Sequence, residues 1–169
     1  MTLIDRLSKL EGPDREVDAE IVFDLFATPV GKHKEDGGPI GYIDLADQPS
    51  WNLGMRFPGK DKAWFAATRK QIKGETLLIE RDNAYVLMNS IRVPDLTASV
   101  DAAIALAERV LPGWVFDNVG QDFHSLPSGY EAFGWNVELI NGTRVQGQAP
   151  TFPLAICIAI LRAKEASTL

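Results

Sequence analysis

The stretch "TFPLAICIAILRAKEA", residues 151 to 166, predicts a helix buried on more than one side. Thr151 is a suitable N-cap, and a proline such as Pro153 is tolerated in the first turn. Every residue from Leu154 to Leu161 is apolar, and polar residues return only at Arg162, Lys164 and Glu165. A helix that is apolar on nearly every side must be covered by other elements on more than one side.

A second helix is predicted in "TASVDAAIALAERVLPGW", residues 97 to 114. Ser99 caps it, and Pro112 and Gly113 end it, so we expect a helix over residues 99 to 110. Its apolar stripe has helical spacing and indicates packing rather than chemistry; the stripe consists of Val100, Ile104, Ala107 and Leu111.

Between these helices the sequence predicts antiparallel strands. In "FGWNVELI", residues 133 to 140, Phe133, Trp135, Val137 and Leu139 alternate with polar Asn136 and Glu138, as in a half-buried strand. Asn141-Gly142 is a strong hairpin signal, so residues 143 to 145 should form the returning strand. Residues 114 to 119 read as a further strand.

The first half of the chain is less regular. Residues 2 to 10 and 13 to 27 predict helices, and residues 28 to 41 predict an exposed loop rich in proline, glycine and charge. Beyond these, the predictions are short strands at 42 to 45 and 51 to 57, a helix at 61 to 73, and a hairpin of residues 76 to 80 and 84 to 90.

This order of elements predicts the α+β class: a single-domain α/β/α sandwich, with helices packed on a mainly antiparallel sheet. The 169 residues, 46% of them hydrophobic, suit one domain over residues 1 to 169. The longest apolar run is too short to span a bilayer, and the N-terminus lacks the features of a secretory signal. A single cysteine precludes an intrachain disulfide, so we expect a cytoplasmic protein without a membrane partner.

The charge distribution is uneven. The net charge is -6, yet residues 56 to 74 carry six basic residues and one acidic residue, a local balance of +5 that leaves -11 elsewhere. Basic and aromatic residues alternate there, with Phe57 also nearby, and the candidate partner-binding set is Arg56, Lys60, Lys62, Trp64, Phe65, Arg69, Lys70 and Lys73. Such a set suits an anionic partner. The other interpretation is a helix whose lysines are solvated and whose aromatic rings enter the core.

No catalytic, metal or cofactor site is predicted. Cys157 would need His124 and Asp122 beside it to act as a nucleophile, but its apolar neighbours favour a small buried hydrophobe. His33, His124 and Cys157 lack the spacing of zinc ligands. Glu16 and Glu20 form a carboxylate pair at i, i+4 that suits Mg²⁺, although the alternating Asp14, Glu16, Asp18 and Glu20 favour a solvated helix face.

Three blocks together resemble the phage ABA sandwich domain family: residues 3 to 21 ("LIDRLSKLEGPDREVDAEI"), residues 93 to 114 and residues 151 to 166. Leu96 stands where that family usually has an aromatic residue, and residues 28 to 92 match none of its blocks. The family consists of small proteins of tailed phages and prophages. The resemblance implies helices on both faces of a sheet, and it implies no activity, cofactor or catalytic residue.

These observations predict a phage- or prophage-encoded accessory protein without catalytic activity. We expect a protein-interaction module in the host cytoplasm, for example an inhibitor of a host or defence protein, whose partner is a host or phage protein. The alternative is a nucleic-acid-binding module that uses residues 56 to 73. An enzyme of unrecognised type is a third hypothesis.

Overall fold

A computed structural model describes residues 1–26, 28–32, 39–44, 64–67, 76–81, 84–89, 94–125 and 129–168. The chain divides into two compact units: Met1–Asp14 with Asp95–Leu169, and Arg15–Pro94. The expectation of one domain over residues 1 to 169 stays a prediction.

The described elements are, in chain order, α1 (Leu3–Leu7), α2 (Arg15–Phe26), β1 (Thr28–Lys32), β2 (Pro39–Asp44), β3 (Trp64–Ala67), β4 (Thr76–Arg81), β5 (Ala84–Asn89), α3 (Val100–Val110), β6 (Val115–Ser125), β7 (Glu131–Asn141), β8 (Thr143–Ala149) and α4 (Phe152–Ser167). The α+β class is confirmed, with helices packed on an antiparallel sheet. No helix within these residues has both the length and the apolar character that a membrane crossing requires.

The first unit contains an antiparallel sheet in the order β6-β7-β8. The predicted alternation of β7 is confirmed where α4 covers the sheet: Val137 and Leu139 are 0% and 1% exposed. Their partners on β8 are Gly147 and Val145. The predicted Asn-Gly hairpin is also confirmed, because Gly142 joins β7 to β8 with a φ of 69° that glycine adopts without strain.

Helix α4 is buried on more than one side, as its sequence predicts. Residues Leu154 to Leu161 are all buried, because α4 packs on β7 and β8 and also contacts α1 and α3. Thr151 is its N-cap residue by backbone conformation, although its side chain makes no capping hydrogen bond. At the same end of the helix, the rings of Trp135 and Phe152 stack with centroids 4.4 Å apart.

The closest approach between α4 and the sheet is at Gly147 on β8. A Cβ atom at this position would overlap the carbonyl oxygen of Ala155 and would lie 2.6 Å from the backbone nitrogen of Ala159. Both are backbone atoms, so no side-chain rotation can make room. The absence of a side chain at Gly147 and the small side chains of Ala155 and Ala159 therefore allow α4 to lie directly on β8.

Helix α3 begins where the sequence predicts, because the hydroxyl of Ser99 accepts a hydrogen bond from the backbone N–H of Ala102 at 3.2 Å. Its buried residues are Ala103, Leu106 and Ala107, and Leu111 directly after the helix is buried as well. The predicted stripe is therefore right at Ala107 and Leu111, whereas Val100 and Ile104 are half-buried at its margin.

In the second unit, five antiparallel strands follow α2 in the order β1-β2-β3-β4-β5. The hairpin prediction is confirmed, with Thr76 opposite Asn89 and Arg81 opposite Ala84. The loop predicted at 28 to 41 is wrong over Thr28–Lys32 and from Pro39 onward, since β1 pairs with β2 despite their prolines and glycines. The strand predicted at 51 to 57 lies outside the described residues.

The helix predicted at 61 to 73 is wrong at Trp64–Ala67, which form β3. This strand pairs with β2, Asp44 opposite Trp64 and Gly41 opposite Ala67, and it meets β4 at Ala66 and Leu78. Pairing on both sides of β3 outweighs the helical preference of its two alanines, because strand preference depends on neighbouring strands that the local sequence does not reveal.

We predict that Gly147→Ala lowers the free energy of unfolding by about 3 kcal/mol or more, because α4 has to move away from β8 along its buried length. Chemical denaturation monitored by circular dichroism measures the loss. Gly120→Ala on β6 is the matched control, since an added Cβ there has no neighbour within 4 Å. Equal stability of the two variants would contradict the close-packing role of Gly147.

Candidate functional site

Helix α4 covers β7 and β8, whereas β6 on the same sheet face carries exposed apolar side chains. Directly paired residues of neighbouring strands point to the same face. Val119 pairs with buried Val137, and Phe116 pairs with buried Leu139, so both point toward the side of the sheet that holds α4. We call the exposed group on this face the β6 strip: Phe116, Val119 and Phe123 of β6, together with Phe133 of β7, which pairs with Phe123 beyond the part of β7 that α4 covers.

The β6 strip is open to solvent to a degree unusual for large apolar side chains. Phe123 and Phe133 are 64% and 56% exposed, and Phe116 and Val119 are 37% and 41% exposed. The rings of Phe123 and Phe133 pack edge to face with centroids 5.5 Å apart. The strip is therefore an exposed, mainly aromatic surface on a sheet, beside helix α4.

A β-bulge at Asp117 places Phe116 on the same face as the rest of the strip. The register shifts between Phe116 and Asn118, which leaves Asp117 as the extra residue of β6. Phe116 and Val119 share a face although they are three positions apart, a spacing that simple alternation would not allow. The sequence prediction of a strand at 114 to 119 is confirmed in type, but it missed this bulge and the six further residues of β6.

The opposite face of the sheet carries mostly polar residues, among them one arginine that contacts the other two strands. Arg144 on β8 forms ion pairs with Asp117 and Glu138, each at 2.9 Å, and thereby connects all three strands. The side chain of Arg144 is 57% exposed, so these pairs contribute modestly to stability. Their clearer effect is on position, because they hold Asp117 at the bulge that orients Phe116.

The nucleophile hypothesis for Cys157 finds no support in the geometry. Cys157 is 0% exposed on α4, and its thiol donates a hydrogen bond to the carbonyl oxygen of Leu96 at 3.5 Å. Asp122 pairs with Gly134 and points to the polar face of the sheet, away from α4. The sheet thus separates this carboxylate from the thiol. The side chain of His124 lies outside the described residues.

The described residues hold no group of three His, Cys, Asp or Glu side chains able to bind a metal ion. Glu16 and Glu20 lie on α2, and His33 is outside the described part of the chain. The solvated-face interpretation is wrong at Asp18, which is 0% exposed and forms an ion pair with Arg15 at 2.8 Å. Arg15 also donates to the carbonyl oxygen of Pro94 at 3.0 Å. The ion pair compensates for the burial of Asp18, because a buried charge needs a partner.

The basic segment predicted as a partner-binding site falls largely outside the described residues. Its cations Arg56, Lys60, Lys62, Arg69, Lys70 and Lys73 all lie there. Trp64 and Phe65 lie on β3, so the helical alternative for this part of the segment is wrong, and its role as a binding surface stays a prediction.

No protein-family model matches the sequence. Searches of curated proteins and of solved structures likewise find no significant similarity. Membership of the phage ABA sandwich family accordingly remains a prediction from the three sequence blocks.

We predict that Cys157 reacts with a thiol reagent at least about 100-fold more slowly than a cysteine introduced on the surface, because its sulfur becomes accessible only when the packing around α4 opens. Asp101→Cys on the exposed side of α3 provides the comparison within the same chain. Labelling is followed by mass spectrometry in native buffer and in denaturant. Equal native rates for the two cysteines would revive the hypothesis of a reactive thiol.

Proposed function

We propose that the protein is a protein-interaction module without catalytic activity, encoded by a phage or prophage and acting in the host cytoplasm. The single observation that carries the interaction role is the β6 strip, an exposed aromatic surface on an ordered sheet. The phage assignment is supported by the resemblance of the three sequence blocks.

Aromatic residues on an ordered scaffold are the usual anchors of protein interfaces, because each buries a large apolar area at a small cost in side-chain entropy. Phe123 and Phe133 satisfy this description, since they pack on each other at 5.5 Å and still expose more than half of their surface. Leaving such rings in water is unfavourable. A partner that covers them therefore gains binding energy without reordering the sheet.

The charges around the strip indicate which surface the partner presents. Glu131 on β7 is exposed on the same face as the strip, two residues before Phe133, and the chain as a whole has a net charge of -6. We infer that the partner has an apolar centre bordered by lysine and arginine. An inhibitor that occupies a basic surface of a host or defence protein fits this description.

The absence of catalysis is also part of the proposal. The side chain of Cys157 is enclosed, and Asp122 lies across the sheet from it. A nucleophile needs access to substrate and a base within hydrogen-bond reach. The geometry of these two residues argues against thiol chemistry at Cys157.

We predict that Phe123→Thr combined with Phe133→Thr weakens partner binding at least about tenfold, because two central aromatic anchors are lost. Threonine retains strand preference, so the expected cost in stability is about 1 kcal/mol or less for each substitution. Proteins captured from host lysate by the wild type are identified, purified and measured by calorimetry against both variants.

The matched control is Asn118→Thr combined with Gln148→Thr, which changes the same sheet on its polar face. Asn118 pairs with Glu138, and Gln148 pairs with Asn136. This variant should bind as the wild type does. An aromatic double variant that binds as tightly as the control would show that the β6 strip is not the interface.

The charge asymmetry favours a second candidate, a nucleic-acid-binding module that uses residues 56 to 73. For this candidate we predict that reversing Lys62, Arg69 and Lys70 to glutamate abolishes a mobility shift with DNA or RNA, and that raising the salt weakens the wild-type shift steeply. Unchanged thermal unfolding confirms an intact fold. Absence of any wild-type shift at low salt would eliminate this candidate.

A further inference from the structure

The two edges of the β6-β7-β8 sheet differ in how they are protected. At the β8 edge, the guanidinium of Arg162 on α4 donates a hydrogen bond to the backbone carbonyl of Gln146, and α4 lies directly over Gly147. At the other edge, β6 is eleven residues long, and β7 is its only strand neighbour within the described part of the chain. A long edge strand with exposed apolar residues is a template for pairing with another strand.

A side-chain hydrogen bond shows which backbone groups of β6 face outward. The N–H of Phe123 donates to the carboxylate of Asp122 at 2.7 Å, which places this N–H on the side away from β7. In antiparallel pairs, residues that bond to the neighbouring strand alternate with residues that do not. The register of β6 on β7 is continuous from Asn118 to Ser125, so Val119, Gln121 and Phe123 all present N–H and C=O groups at the free edge.

This alternation limits how two β6 strands can pair about a twofold axis. Outward groups must meet outward groups, so near the middle of the strand the axis must pass through residue 120, 121 or 122. An axis at Asp122 sets two carboxylates opposite each other, and an axis at Gly120 sets Phe123 opposite Asp117 in the bulge. An axis at Gln121 sets Val119 opposite Phe123 of the second copy, an apolar pair.

We propose that two copies of this chain associate by antiparallel pairing of their β6 strands, with Gln121 on the twofold axis. On the polar face, Gly120 then lies opposite Asp122 and Asn118 lies opposite His124 of the second copy, so no like charges are directly opposed. The product is a six-stranded sheet with both helices α4 on one face. The two β6 strips become neighbours on that face, with the two Gln121 side chains between them on the axis.

The inference goes beyond the proposed function, since it concerns the backbone edge of β6 and names a second copy as its occupant. Dimerisation would also change the hydrogen-bond partner of the Phe123 N–H. The carboxylate of Asp122 satisfies the outward N–H of Phe123 in the single chain, and in the dimer the carbonyl of Val119 in the second copy takes over that N–H. The carboxylate of Asp122 therefore competes with the second strand for the N–H of Phe123.

The test is sedimentation velocity of the full chain, extended to about 100 µM so that a dimer of micromolar affinity is well populated. We expect the wild type to dimerise. Gln121→Lys should weaken the dimer at least about fivefold, because the twofold axis sets the two introduced charges opposite each other. Gln148→Lys on β8 is the matched control and should leave the dimer unchanged.

Two further variants test the dimer independently, in case Gln121→Lys disturbs folding. Asp122→Ala should strengthen the dimer, because the Phe123 N–H loses its competing acceptor. Gln121→Cys should form an intermolecular disulfide under mild oxidation, whereas Asp101→Cys on α3 should not, and Cys157 is buried in both. Disulfide formation at residue 121 reports the register directly.

A wild type that remains monomeric at 100 µM, or a dimer that Gln121→Lys does not weaken, would overturn the proposal. Neither result bears on the proposed function, because sedimentation is measured without a partner. Partner binding by the wild type and by the Phe123→Thr, Phe133→Thr variant tests the partner-binding surface separately from the dimer.

Discussion

The backbone contact between α4 and β8 at Gly147 is the constraint on which the rest of the first unit depends. Helix and sheet can meet this closely only because Gly147 has no side chain and the facing helix residues Ala155 and Ala159 are small. The contact brings α4 down over β8 and β7, where it buries Val137 and Leu139. Helices α1 and α3 contact α4 on its other sides, so α4 is buried almost all round.

The position of α4 determines what the molecule presents to partners. A helix seated on β8 covers two strands of a three-stranded sheet, so the apolar residues of β6 on the same face stay exposed. Arg162 of the same helix reaches the carbonyl of Gln146 and closes the β8 edge, whereas the edge of β6 is left to pair elsewhere. The position of α4 on β8 thus leaves exposed both the aromatic surface that we propose for partner binding and the β6 edge that we propose for dimerisation.

Most of the candidate site could not be predicted from the sequence, because it depends on contacts between residues far apart in the chain. The alternation of β7 predicted its two faces correctly, but it could not indicate that Phe133 lies beyond the area that α4 covers. The bulge at Asp117 changes the face of Phe116 and depends on pairing with β7 and on Arg144. Asp18 was misread as solvated, because its burial depends on the ion pair with Arg15 and on the tertiary environment.

The sequence by itself determined the local elements with strong periodicity or turn chemistry: α3, α4, the β7–β8 hairpin and the burial of Cys157. These follow from spacing, caps and composition, which act between residues close in the chain. Only the tertiary structure decided the strand at Trp64–Ala67, the uncovered state of β6 and the need for glycine at 147. Each of these depends on contacts between residues distant in the chain, and no local preference encodes such contacts.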